Sequence, residues 1–152
     1  MHPPKELLNL GARIAERQGL DPALVCAVIE QESGWDPNAI RFEPGFRERY
    51  VAPLGLSATE EISRSMSWGL MQVLGQVARE HGYKGNFLAG LCDPSTNLEI
   101  GCVVLARKLA AADGNVSAGL LLWNGGSNPS MRRPVRVKSV FSFPVRAFGF
   151  CF

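Results

Sequence analysis

Two stretches of this chain open with the same dipeptide and close on glycine. Asp21-Pro22 and Asp93-Pro94 each precede an apolar run at helical spacing, and those runs stop at Gly34 and Gly114. Aspartate offers a side-chain acceptor to the free amides of a first helical turn, and proline at the first helical position has no amide to leave unpaired. The first of these helices is expected to reach about Ser33, with Asp36-Pro37 marking the break. In the second, Leu98, Val104, Leu105 and Leu109 mark one face. The remaining signals point the same way. Leu7, Leu8, Leu10, Ile14 and Ala15 predict an amphipathic helix over 5–19, closed by Gly19. Ser57 and Glu60 stand at capping-box spacing ahead of a short helix over 58–64. Leu70, Val73, Leu74, Val77 and Ala78 form a helical stripe jointed at Gly75 and closed by Gly82. Asn115 or Ser117 starts a last apolar helix, Ala118 to Trp123, stopped by Gly125-Gly126. The proline- and glycine-bearing stretch 35–56 reads as loop, and no segment before residue 130 has strand period. The expected fold class is all-α, with six or seven helices joined by short connections.

With 152 residues the chain has about one domain's length, and 46% hydrophobic residues are enough for a real core. The division expected is a helical domain over 1–130 and a tail over 131–152. Five of the 16 basic residues, none of the 14 acidic residues and five of the eight phenylalanines lie in that tail, so the body is mildly acidic and the tail basic. Val135, Val137, Phe141 and Phe143 alternate like a strand, yet Pro134 and Pro144 interrupt them. Three readings of the tail stay open. It is a cationic arm for anionic wall polymers or membrane, a closing segment packed on the domain, or a sequence altered by a frameshift after residue 130. The abrupt change of composition favours the last.

A formal net charge of +2 does not by itself imply a nucleic-acid partner. No segment approaches the roughly 20 apolar residues of a membrane span, so no stable membrane insertion is expected. Residues 1–6 show no apolar stretch behind a basic start. The protein is therefore expected to be cytoplasmic before release to the cell wall, or periplasmic or extracellular by another route. Cys26, Cys92, Cys102 and Cys151 have no metal-ligand spacing and are expected to be reduced, with Cys26 a buried thiol. His2 and His81 are too isolated to suggest a metal. No cofactor or metal and a monomeric state are expected.

The candidate catalytic residue is Glu32. On the helix after Asp21, Leu24, Val25, Val28 and Ile29 form one apolar stripe, and Glu32 follows Val28 by four positions and Ile29 by three. Glu30 falls outside the stripe. A carboxylate on an apolar face loses hydration, which raises its pKa. The last helical turn adds to this, because the negative end of the helix dipole opposes a further negative charge. A general acid near neutral pH needs a carboxyl that stays protonated. The structural alternative is a partly buried Glu held by an arginine or a backbone donor.

Four segments then bear a family resemblance. Glu32-Ser33-Gly34-Trp35-Asp36-Pro37-Asn38-Ala39 resembles the Glu-Ser motif of the lytic transglycosylase superfamily, SLT-type and goose-lysozyme-like. Ser67-Trp68-Gly69-Leu70-Met71-Gln72-Val73 is similar to its Gly-Leu-Met-Gln segment. Asn97-Leu98-Glu99-Ile100-Gly101 is similar to its Asn-Ile-x-x-Gly helix, and Trp123-Asn124-Gly125-Gly126 to its aromatic-Asn-x-Gly motif. The four stand in the family's order and spacing over roughly residues 6–130. The resemblance implies a lysozyme-like helical fold with a glycan groove, peptidoglycan strands as partner, and Glu32 as the single acid/base. It also implies that Ser33, Met71, Gln72 and Asn124 line the groove or support the Glu; for Met71 a gap-filling role in the core stands equally beside it. Trp35, Trp68, Trp123 and Tyr83 offer flat faces for sugar rings, with core packing the competing reading, favoured for Trp68 and Tyr83. In the family a tyrosine often stands at the Trp123 position, and its hydroxyl orients the catalytic Glu. An indole N–H donates and does not accept, so the support here must differ.

The implied reaction breaks the MurNAc–GlcNAc β-1,4 bond and leaves a 1,6-anhydro end. A hydrolytic muramidase on the same fold is the alternative, with Asp36, Glu43 or Glu48 activating water; Glu43 is the first choice, against an ion pair with Arg41 or Arg47. From another class, the chain is a glycan-binding or virion-structural module without turnover.

Overall fold

The computed structural model of the protein describes residues 3–125; the tail 131–152 and its three readings lie outside them. The two Asp-Pro signals produce the helices they predict. Helix α2 runs Pro22–Ser33, with the Asp21 carboxylate accepting from the Ala23 amide and Gly34 closing it in the left-handed conformation. Helix α6 runs Pro94–Ala111, and Asp93 accepts from the Thr96 amide. Helix α1 (Lys5–Arg17) ends near its predicted glycine, α4 (Ala58–Arg64) occupies the predicted span, and α7 (Val116–Trp123) is capped by the Asn115 side chain. Ser57, by contrast, makes no side-chain cap bond.

The expected absence of strands is corrected. β1 (Ile40–Phe42), β2 (Met66–Trp68) and β3 (Val73–Leu74) form a small antiparallel sheet in that order. Ile40 lies opposite Trp68, Arg41 opposite Ser67, and Trp68 opposite Val73. Strands of two or three residues hold too few alternations for a period-2 pattern to register. Val73 and Leu74, read as helical, belong to β3, and the helix α5 starts only at Gly75 (Gly75–Glu80). The stretch read as loop holds β1, the single turn α3 (Pro44–Phe46), a π-helical turn Arg47–Val51 and a 3₁₀ turn Ala52–Leu54. The result is a mostly helical domain with a small sheet.

Helix α6 is the central element. It packs against α1, α7, α5 and β3, and buries one broad face, which carries Leu98, Cys102 and Leu105. Cys26, Cys92 and Cys102 are free thiols, and burial pushes Cys26 up to about 11 and Cys102 to about 12.

One buried side chain ties the sheet to this helix. Asn97 is fully buried; its Oδ1 accepts from the Met71 amide at 2.8 Å, and its Nδ2 donates to the carbonyls of Trp68 and Leu91 at 2.8 and 2.9 Å. The β2–β3 turn packs close against it. Gly69 has φ +66°, and a Cβ there would fall 2.5 Å from the Asn97 amide and from the Leu91 carbonyl. Gly101, one turn along α6, leaves room for Met71, whose sulfur would lie 2.5 Å from any Cβ. Replacing Asn97 with Ala strands one backbone amide and two carbonyls away from water. We expect a loss of about 3–4 kcal/mol of stability, measured by urea unfolding; a loss below about 1 kcal/mol would mean that other groups satisfy the turn.

Candidate active site

A groove of about 630 Å³ runs beside the C-terminal end of α2. Glu32 lines it, as do Arg41 and Glu43 from the β1 end, Gln72 from the β2–β3 turn, and Trp123 and Asn124 from the end of α7. Segments 91 residues apart therefore meet at one carboxyl group: the Trp123 indole donates to Glu32 Oε1 at 3.1 Å.

The helical phase read for α2 holds. Val25, Val28 and Ile29 are buried, Glu30 is exposed, and Glu32 is half-buried at the edge of the apolar stripe. Burial pushes the Glu32 carboxyl above its ordinary value of 4.5. The Trp123 hydrogen bond and the Arg41 charge pull it back, and the Glu43 charge pushes it up again. The net direction is upward, so Glu32 keeps its proton at a higher pH than a solvated Glu. A tyrosine hydroxyl can accept or donate here; the indole only donates, so Trp123 favours the ionised form of its partner.

Glu43 is engaged. Both Nε and Nη2 of Arg41 donate to its Oε1, and the Ser67 hydroxyl donates to the same atom at 3.3 Å. The register that sets Arg41 opposite Ser67 produces this cluster. The ion pair with Arg41, one of the two readings of Glu43, is thus present, and Arg47 pairs with Glu61 instead. Asp36 and Glu48 do not line the groove; Asp36 accepts from the Asn38 amide in the turn after α2.

Gln72 lines the groove but has a structural task. Its φ of +48° puts it at the β2–β3 turn, and its amide nitrogen donates to the Ala39 and Gly69 carbonyls at 2.9 and 3.0 Å. Its Oε1 remains as an acceptor for a hydroxyl. Two residues expected at the groove are elsewhere. Met71 is fully buried against Gly101 and touches no solvent, so it supports the turn from beneath. Ser33 is absent from the groove lining, and its hydroxyl donates to the Ile29 carbonyl of its own helix. Of the candidate sugar faces, Trp35 and Trp68 are buried, their indoles donating to Glu30 and to the Ser63 carbonyl. Tyr83 packs at the core with its hydroxyl on the Phe87 carbonyl. Trp123 alone of the four lines the groove.

The four motifs converge here: the first supplies Glu32, the second the turn with Gln72, the third the Asn97 anchor, and the fourth Trp123 and Asn124. The transglycosylase SLT domain model matches residues 10–139. The chain belongs to this family. It is a lytic transglycosylase domain of the glycan-cleaving kind, with peptidoglycan strands as the polymer it meets. The match extends beyond the described residues and nine residues into the stretch read as tail. No solved structure matches the chain. No helix among the described residues is long and apolar enough to cross a membrane.

Sequence reasoning missed Phe46, Tyr50 and Lys108, all of which line the groove. Phe46 and Tyr50 pair at 5.1 Å between ring centres across the π-helical turn, and Tyr50 is 47% exposed. An aromatic pair four residues apart inside a stretch read as loop was the available signal. Lys108 gave none, since a lysine in the last turn of a helix is ordinary.

The raised pKa of Glu32 has a stability consequence. The unfolded chain ionises this carboxyl near 4.5, the folded chain only at higher pH. Between the two values the unfolded state holds fewer protons, so stability falls as pH rises through that window. A glutamine carries no such dependence. Glu32→Gln is expected to gain stability over the parent at pH 8 and to match it more nearly at pH 4, read from urea midpoints. A gain largest at pH 4 would contradict the buried-acid assignment. Trp123→Phe removes a donor to the ionised form, so Glu32 is expected to titrate higher still, seen as an alkaline shift of its side-chain carboxyl resonance.

Proposed function

We propose that this domain cleaves the β-1,4 bond between N-acetylmuramic acid and N-acetylglucosamine in peptidoglycan, forming a 1,6-anhydro end, with Glu32 as the single acid and base. The observation that carries the reading is a half-buried carboxyl with a raised pKa, held by Trp123 within the groove. Protonated Glu32 gives its proton to the glycosidic oxygen as the C1–O bond breaks. The resulting carboxylate then takes the proton of the muramoyl 6-hydroxyl, and that oxygen bonds to C1. The proton lost from the 6-hydroxyl restores Glu32, so the cycle needs no water and no second carboxylate.

The state of Glu43 supports the single-residue route. It is the other carboxylate among the described lining residues, and its Oε1 already accepts from Arg41 and Ser67. A hydrolytic reading keeps some footing because Glu43 shares the groove and its charge acts on Glu32. A general base for water would need an oxygen facing the sugar's opposite side. Gln72 and Asn124 suit sugar hydroxyls, since amides donate and accept.

Mass spectrometry of digested peptidoglycan distinguishes the two chemistries. Anhydro-muramoyl ends are expected, and reducing ends would overturn the lyase reading. Glu32→Gln is expected to lower the rate by about a hundredfold or more, with the fold intact. Undiminished lysis by that variant would remove Glu32 from the chemistry, and a parent without turnover would favour a binding module.

A further inference from the structure

We propose that Lys108 is an anion subsite of the groove that recognises the carboxylates of the peptide stems carried by the glycan. The proposal rests on the glycan-groove reading above and adds a specificity determinant to it.

Val104 and Lys108 stand one turn apart on α6, and both line the groove. Residues four apart share a helix face, so the face of α6 turned to the groove ends in a cation. Val104 is 4% exposed and Lys108 half-buried. A half-buried lysine on such a face covers apolar surface with its methylene stem while its ammonium stays hydrated and available.

The charges of the groove then sort themselves. Arg41, the other cation among the described lining residues, is held by Glu43. Ion pairs among the described residues link Arg17 to Glu99, Arg47 to Glu61, and Arg64 and Arg79 to Glu60; none engages Lys108, and no hydrogen bond among these residues does. In the acid-competent state Glu32 is neutral, and Arg41 and Glu43 cancel. The described lining is left with one net positive charge, on Lys108. The uncharged hydroxyls and acetamides of a sugar chain give that charge no counterpart. The lactyl-linked peptide stems do, because they end in and carry carboxylates. A lysine suits this task, being a point charge on a flexible stem that follows a mobile carboxylate.

The competing role is structural. Lys108 lies in the last turn of α6, where a cation complements the helix dipole. That role predicts lower stability on substitution and no discrimination between substrates.

The test uses the full chain with Glu32→Gln, so that equilibrium binding is read without turnover. Soluble stem-bearing glycan strands are compared with the same strands after their carboxylates have been capped as methylamides, which keeps the stems and removes their negative charge. The E32Q protein is expected to bind the uncapped strands more tightly. Adding Lys108→Met is expected to weaken that binding about tenfold, leave binding of capped strands within about twofold, and leave the thermal midpoint unchanged. Lys108→Arg is expected to retain the preference, and added salt to erase it. Equal weakening on both substrates, no weakening on either, or no preference in the E32Q protein itself would each overturn the proposal. The binding readout requires only that the E32Q protein leave the strands intact, which strand length after incubation checks; a failure of the acid assignment shows there and in product analysis of the parent, and is distinct from every outcome above.

Discussion

The site depends on one buried amide. Asn97 satisfies a backbone amide and two carbonyls that the β2–β3 turn and the Leu88–Cys92 turn would otherwise leave without partners in the core. Inside a protein such groups cannot fall back on water, so the bond pattern is either complete or strongly destabilising. By holding Trp68 and Met71 to α6, Asn97 sets the height of the turn that carries Gln72. Gln72 in turn ties that turn to the Ala39 carbonyl, and so to the start of β1. From β1 come Arg41 and, one residue beyond it, Glu43. The charged side of the groove is thus placed by a chain of backbone and amide bonds that begins at a residue with no surface exposure.

The opposite side is placed by packing. Helix α7 lies on α6 where Gly119 meets Leu109, and a Cβ at Gly119 would come within 2.6 Å of that leucine. The close approach brings Trp123 to Glu32. Two independent constraints, a hydrogen-bond chain and a glycine contact, therefore meet at a single carboxyl. Its protonation reflects both: burial raises its pKa, and the indole and Arg41 limit the rise. A carboxyl balanced in this way can give a proton and take one back, which a fully desolvated acid or a fully paired carboxylate does poorly.

Much of the helical fold was legible because its signals are local. The two Asp-Pro caps and the glycine stops act within one turn, and α2 and α6 begin where those signals put them. The phase that separated Glu32 from Glu30 is also local, since it follows from the 3.6-residue period. The sheet was not legible: each strand is too short to show alternation, and its pairing joins residues 40–42 to 66–74. The same distance hid the fate of Met71. Its motif marks it as part of the turn, yet whether it faces groove or core depends on Gly101, 30 positions away.

By itself, then, the sequence determined where α1, α2, α4 and α6 begin, the side of α2 on which Glu32 sits and, through four spaced motifs, the family. Only the tertiary structure decided which side chains share the groove with that acid. It sent Met71, Ser33, Trp35 and Trp68 away, brought in Phe46, Tyr50 and Lys108, and closed Glu43 onto Arg41. The physical reason is range. Capping and helical phase are settled among neighbours a few residues apart, whereas burial, charge pairing and the Trp123–Glu32 bond exist only once distant segments have packed together.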